Sequence, residues 1–201
     1  MHKIALSLFF IILFQVIYAQ KSTIYSNVNR SAHGSGDMTG IAFDIGYKEK
    51  LREKINWYGE IGASSHDVSF YESYIDNNSD LIDASLRFVT SGMQLSGGFS
   101  CNPIQIPNDL NLQIGVVLRY QTSSLPSSVA TYYPIVTNLP FPAHAFEQYE
   151  PMRTFAVGGK IAVGYSYTFK NNFFAGINGT YQTDTNGDSI YGYGLTIGKR
   201  F

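Results

Sequence analysis

The residues that could do chemistry are few. His33 and His66, with Asp37, Asp67, Ser64, Ser65 and Ser69, supply the side-chain types of a nucleophile, a base and an orienting acid. Such groups act only where they meet in space. Their spacing here matches no nucleophile motif, and polar strand ends bring such residues together by chance. The chain therefore reads as a protein without enzymatic activity. His144 belongs to a long polar-aromatic segment and reads as solvated. The acidic runs at 76–80 and 184–188 resemble fragments of a calcium loop but lack its full acidic spacing and terminal Glu. Asn186-Gly187 and the Asp/Asn clusters are hairpin-closing residues instead. Cys101 is the single cysteine, which excludes a disulfide framework and a Cys-rich zinc module. No glycine-rich phosphate loop lies between a strand and a helix. No metal or cofactor is expected.

Composition narrows the class. Of 201 residues, 44% are hydrophobic and only 14% charged, against about 25% charged in an average soluble domain. With 14 Phe and 15 Tyr the chain is too aromatic for a disordered one. A formal net charge of -1 leaves no basic footprint for nucleic acid. Met1-His2-Lys3 followed by an apolar run to Phe14, with Ala19 at a small-residue cleavage position, has the layout of a secretory signal peptide. That run is short of the roughly 20 apolar residues of a spanning helix. The expected division is a cleavable signal peptide over 1–19 and one domain over 20–201.

Any functional residue must be positioned by strands, because the remainder alternates with period two. Over 153–169, Phe155, Val157, Ile161, Val163, Tyr165, Tyr167 and Phe169 share one parity, while Ala156, Gly158, Lys160, Ala162, Gly164, Ser166 and Thr168 share the other. Successive strand side chains point to opposite faces, so one face is apolar and the other small and polar. The same alternation predicts strands near 38–48, 55–74, 80–101, 110–122, 173–183 and 189–201. Within 80–101 the apolar parity flips between Val89 and Gly92, which a bulge would explain. Connections alternate between long and short only if 80–101 is one bulged strand. Membrane barrels of one chain have even strand numbers, so 21–31, with Ile24 and Val28, is taken as the eighth.

The alternation suits a soluble barrel with its apolar face inside, as in a lipocalin-like carrier, or a membrane barrel with that face outside. Two features favour the second. The polar parity carries Asp44, Lys48, Glu60, Asp83, Arg87, Arg119 and Lys160 among Gly and Ala. Apolar-parity aromatics, including Tyr47, Trp57, Tyr120, Tyr167, Phe169, Tyr181, Tyr191 and Phe201, gather towards strand ends, as in the two aromatic girdles of a membrane barrel. The expected fold is all-β, an up-and-down antiparallel barrel of eight transmembrane strands with its apolar face outward. Eight strands enclose an interior that side chains fill. Asp44, Glu60, Asp83, Arg87, Arg119 and Lys160 are expected to plug it as a paired charge network.

At residues 193–201, Tyr193, Leu195 and Ile197 alternate with small or polar residues and end on Phe201. This end, with the barrel pattern over 21–201, resembles the small eight-stranded outer-membrane barrels of Gram-negative bacteria. Lys199 departs from the usual apolar alternation, though a Lys at the interface can snorkel. The resemblance implies location in the outer membrane, contact with its lipid, and recognition of Tyr193, Leu195, Ile197 and Phe201 by the barrel-assembly machinery. It carries no activity. The expected role is structural or surface-interacting: envelope integrity, adhesion or contact with an extracellular ligand. Alternatives are a narrow small-solute channel and a lipid-modifying enzyme at the rim. Residues 121–152, with five of the seven prolines, form the longest connection. There Tyr132, Tyr133, Phe141, Phe146 and Tyr149 could present a contact surface, or pack on the barrel rim.

Overall fold

The computed structural model describes residues 22–34, 37–70, 73–75, 81–83, 86–104, 107–124, 128–140, 142–147 and 152–201. The expected signal peptide lies outside these residues. In chain order the strands are β1 (Ser22–His33), β2 (Met38–Lys50), β3 (Ile55–Phe70), β4 (Ser73–Ile75), β5 (Leu81–Asp83), β6 (Leu86–Ile104), β7 (Asn108–Ser123), β8 (Ser128–Tyr132), β9 (Ala143–Glu147), β10 (Met152–Thr168), β11 (Phe173–Asp184) and β12 (Ser189–Arg200). A helical turn, α1 (Pro134–Thr137), lies between β8 and β9.

Eight of these strands close an antiparallel barrel in the order β1-β12-β11-β10-β7-β6-β3-β2. Closure rests on β1, the strand with the weakest alternation. Thr23 to His33 pair with β12 and Ser22 to His33 pair with β2. An unclosed sheet would leave backbone groups of β2 and β12 unpaired in lipid, where they have no water to replace the lost bonds. The short connections after Lys50, Ile104 and Thr168 leave from the end that holds residues 22 and 201. The longer connections leave from the opposite end, after Phe70 and Ser123, as do the short ones after His33 and Asp184. Short periplasmic turns and longer extracellular loops give this barrel its orientation.

The outward row of each strand forms an apolar belt. Ile61, Leu95, Ile114, Ile161, Ile177 and Leu195 are all exposed. Aromatics collar it: Tyr47 and Trp57 lie 5.4 Å apart towards the periplasmic end, as do Tyr167 and Phe169.

The expected bulge between Val89 and Gly92 is absent. β6 pairs with β3 without a break from Leu86↔Phe70 to Cys101↔Ile55. The irregularity lies elsewhere, between Cys101 and Ile104 in the pairing with β7. Phe88 is buried on the inner face of the same continuous strand that turns Met93, Leu95 and Phe99 outward. The parity change is thus chemical, not a kink in the backbone. β6 also starts later than expected, because 81–83 pairs with 73–75 in a separate hairpin.

Candidate functional site: a packed lumen and two unlike mouths

Three polar clusters occupy the lumen. At mid-height, Lys160 on β10 donates from Nζ to Glu60 Oε2 on β3 (2.6 Å) and stands 3.6 Å from Asp44 Oδ2 on β2. Glu60 also accepts from Tyr25 Oη (2.7 Å) and Ser96 Oγ (2.9 Å). Asp44 accepts from Gln94 Nε2 (3.0 Å). Lys160 is 3% exposed, and Val117 and Tyr58 fill the section beside it. Glycines make this room: a Cβ on Gly62 would fall 2.0 Å from Asp44 Oδ1.

Near the outer mouth, Arg119 on β7 faces two acids, Asp184 at the end of β11 and Asp188 in the turn to β12. Its NH1 is 3.3 Å from Asp184 Oδ2, without hydrogen-bond geometry, and its NH2 donates to Asp188 Oδ2 at 3.2 Å. Gln121 Nε2 donates to the same Asp188 oxygen at 2.8 Å, and His33 Nε2 lies 3.5 Å from it. Asp188 lies in the turn; hydrogen bonding to His33 first, then to Gln121, with the nearby Arg119 charge, holds its carboxyl down at about 2 against the cost of burial. His33 and His66 stack at 5.4 Å, and Ser31 Oγ lies 2.7 Å from His66 Nε2.

At the periplasmic mouth, Arg200 pairs with Asp109. Asn102 Nδ2 donates to Asp109 Oδ1 at 2.6 Å, and Asn102 Oδ1 accepts from Asn56 and Asn111.

The residues picked from the sequence separate accordingly. Asp44, Glu60, Arg119 and Lys160 face the lumen, in two clusters rather than one network. Arg87 does not join them: it lies on the outer face, 67% exposed, and bonds to Asp67 Oδ2 at 2.8 Å. Its parity points away from the axis, and above the lipid belt that side meets water. Asp83 belongs to the β4–β5 hairpin, off the barrel wall, and its side chain lies outside the described set. The serine beside His66 is Ser31, from the weakly alternating first strand, not Ser64, Ser65 or Ser69. Both Ser31 and His66 are buried, and Asp67 points out to Arg87. Asp184 and Asp188 do close a turn, with Gly187 at φ +78° and Asp184 Oδ1 accepting from the Asn186 amide at 3.0 Å. Their lumenal role had no signal in the sequence except proximity to a strand end.

Tyr193, Leu195, Ile197 and Phe201 all lie on the outward face of the last strand or just past it. In the long connection, β8 and β9 pair as a hairpin with α1 at its tip. Tyr132 and Tyr133 are exposed. The Phe146 side chain, Phe141 and Tyr149 lie outside the described residues.

No family model and no curated protein matches the chain. Solved structures do. Ail, the attachment invasion locus protein of Yersinia pestis, is 13% identical with a TM-score of 0.52, covering 90% of this chain and 99% of that one. Ail in complex with the heparin analogue sucrose octasulfate is 15% identical with a TM-score of 0.50 over the same shares. Neisserial surface protein A is 10% identical with a TM-score of 0.51, covering 90% of this chain and 97% of that one. At such identities the likeness is one of fold, that of the small eight-stranded outer-membrane barrels. The outward apolar belt shows independently that the wall of this barrel faces lipid. A closed eight-stranded barrel of this fold with that belt is an integral outer-membrane protein.

Proposed function

We propose that this barrel is closed to solutes and acts at the cell surface, through the hairpin between β7 and β10. One observation carries the reading: at the hairpin tip Ile135 is 90% and Val136 70% exposed, beside exposed Tyr133. Apolar groups presented together on a surface mark an interaction site. No Asp, Glu, Lys or Arg occurs from Tyr120 to Phe146. Ail, a barrel of the same fold, is known in complex with a heparin analogue; the absence of Lys and Arg from 120–152 here favours an apolar or aromatic contact over a polyanion. The packed mid-lumen, with Lys160, Glu60 and Tyr58 buried across it, supports a structural wall rather than a solute channel. The outward row of Tyr193, Leu195, Ile197 and Phe201 supports delivery by the barrel-assembly machinery, so Phe201→Ala should lower the inserted fraction.

Deleting 126–150 from the full chain is the direct test. Binding of outer-membrane vesicles to host matrix, phage or lipopolysaccharide should fall while the barrel keeps its heat-modifiable gel shift. Binding that survives the deletion refutes the surface assignment. Large, stable planar-bilayer conductance from the monomer refutes the closed lumen and favours the channel.

A further inference from the structure

At the periplasmic end the lumen opens into a cavity of about 390 Å³, within the size range of small-molecule sites. Its wall brings together Lys48 of β2, Asn56 of β3, Asn102 of β6, Asn111 of β7 and Arg200 of β12. Three of these are amides locked to each other: Asn102 Oδ1 accepts from Asn56 Nδ2 at 2.7 Å and from Asn111 Nδ2 at 3.1 Å. Arg200 is neutralised by Asp109. Lys48 is held differently. Its Nζ donates to Asn111 Oδ1 at 2.7 Å and lies 4.4 Å over the Tyr25 ring, so both partners are neutral. Lys160, Arg119 and Arg200 each meet a carboxylate in the lumen. Lys48 alone among these four lumenal cations is held by an amide and a ring.

An ammonium has three donors, and one is committed to Asn111. Glu60 and Asp109 act on it only through space, and desolvating a cation that has no direct ion pair is costly unless an anion joins it. Lys48 shares the cavity wall with Lys50 and Arg200, which outnumber the acids Glu53 and Asp109 there, and Lys serves as a point charge for phosphate.

We propose that Lys48 anchors a periplasm-facing site for a phosphate group on a small polar molecule, with the Asn102 and Asn111 amides holding its oxygens. The phosphate comes from a free phosphate ester or from a phospholipid headgroup of the inner leaflet. The site is independent of the surface hairpin.

The test uses the refolded full chain in neutral micelles, with side-chain amide resonances assigned. Inorganic phosphate, glycerol 3-phosphate and phosphatidylglycerol doped into the micelles are titrated in separate arms. Saturable shifts of the Asn102 and Asn111 amides are expected in at least one arm; the soluble arms responding identifies a free ester, the lipid arm alone a headgroup. Lys48→Met should weaken binding at least about tenfold, while Lys54→Met, in the exposed 51–54 turn, should not. Absence of a saturable shift with all three probes overturns the site, and so does equal affinity in Lys48→Met. Should that variant not refold, the wild-type titration decides by itself.

Discussion

Removing Lys160 should cost far more than removing its nearest acid. The mid-lumen cluster holds two carboxylates and one ammonium, with Lys160 Nζ 2.6 Å from Glu60 and 3.6 Å from Asp44. Lys160→Met leaves two buried carboxylates facing each other with only Gln94, Tyr25 and Ser96 as donors. Stripping one partner from a buried ion pair costs about 3–5 kcal/mol. Glu60→Gln keeps the shape and one oxygen, which in the place of Oε2 still accepts from Ser96 and Lys160 while the NH2 faces the Tyr25 hydroxyl, and Lys160 retains Asp44. Its cost should be about 1–2 kcal/mol, a lost charge-assisted bond. The double variant K160M/E60Q leaves one carboxylate bonded to Gln94, so Glu60→Gln should recover stability in the Lys160→Met background while losing it in the wild type. The assay is urea unfolding in lipid vesicles, read from the fluorescence of Trp57, the one tryptophan, which faces lipid in the folded barrel. Equal costs for the two single variants, or additive effects in the double, would refute a desolvated lumen. They would mean that water screens these charges to about 1 kcal/mol.

Three further outcomes follow from other parts of the barrel. Ile161→Arg, outward and mid-strand on β10, should cost about 2–4 kcal/mol; Ser91→Arg, outward at the edge of the belt, should cost about 1 kcal/mol or less, and equal penalties in vesicle unfolding would misplace the lipid boundary. Gly187→Ala forces a side chain into φ +78° and should lower stability by about 1–2 kcal/mol, measured as a shift in the urea midpoint; an unchanged midpoint would show that the turn relaxes freely. Asp188, held down at about 2 in the folded state against about 3.9 when unfolded, stabilises above the unfolded value. That contribution is lost as pH falls from about 4 towards 2. The difference in urea midpoint between wild type and Asp188→Asn should therefore shrink across that window, and a constant difference would separate Asp188 from its His33 and Gln121 partners.

The barrel was legible because lipid imposes one rule along each strand within the belt, so Phe155 to Phe169 and Tyr191 to Ile197 announce both strand and facing. The partners inside were not. Arg119 meets Asp184 and Asp188 from more than sixty positions away, and Ser31 meets His66 only because β1 closes on β2 beside β3. Parity says that a residue faces inward, but not which strand stands across the lumen.

The misplaced bulge shows where the rule ends. Beyond the belt the outside is water, so the preference on the two faces inverts while the backbone runs on. On β6, Arg87 points out and Phe88 in, its ring 5.6 Å from that of Phe70. The same exchange occurs at the outer ends of β2, where Met38 is buried and Thr39 is not, and of β12, where Ile190 is buried and Ser189 faces the rim. An apolar residue buried inside above a row of outward polar ones is the ordinary rule of a barrel in water. The point at which parity reverses in an unbroken strand therefore marks the outer edge of the bilayer. On β6 that edge falls between Val89 and Met93, the level at which outward Ser91 bonds to Ser65 of β3 at 2.8 Å.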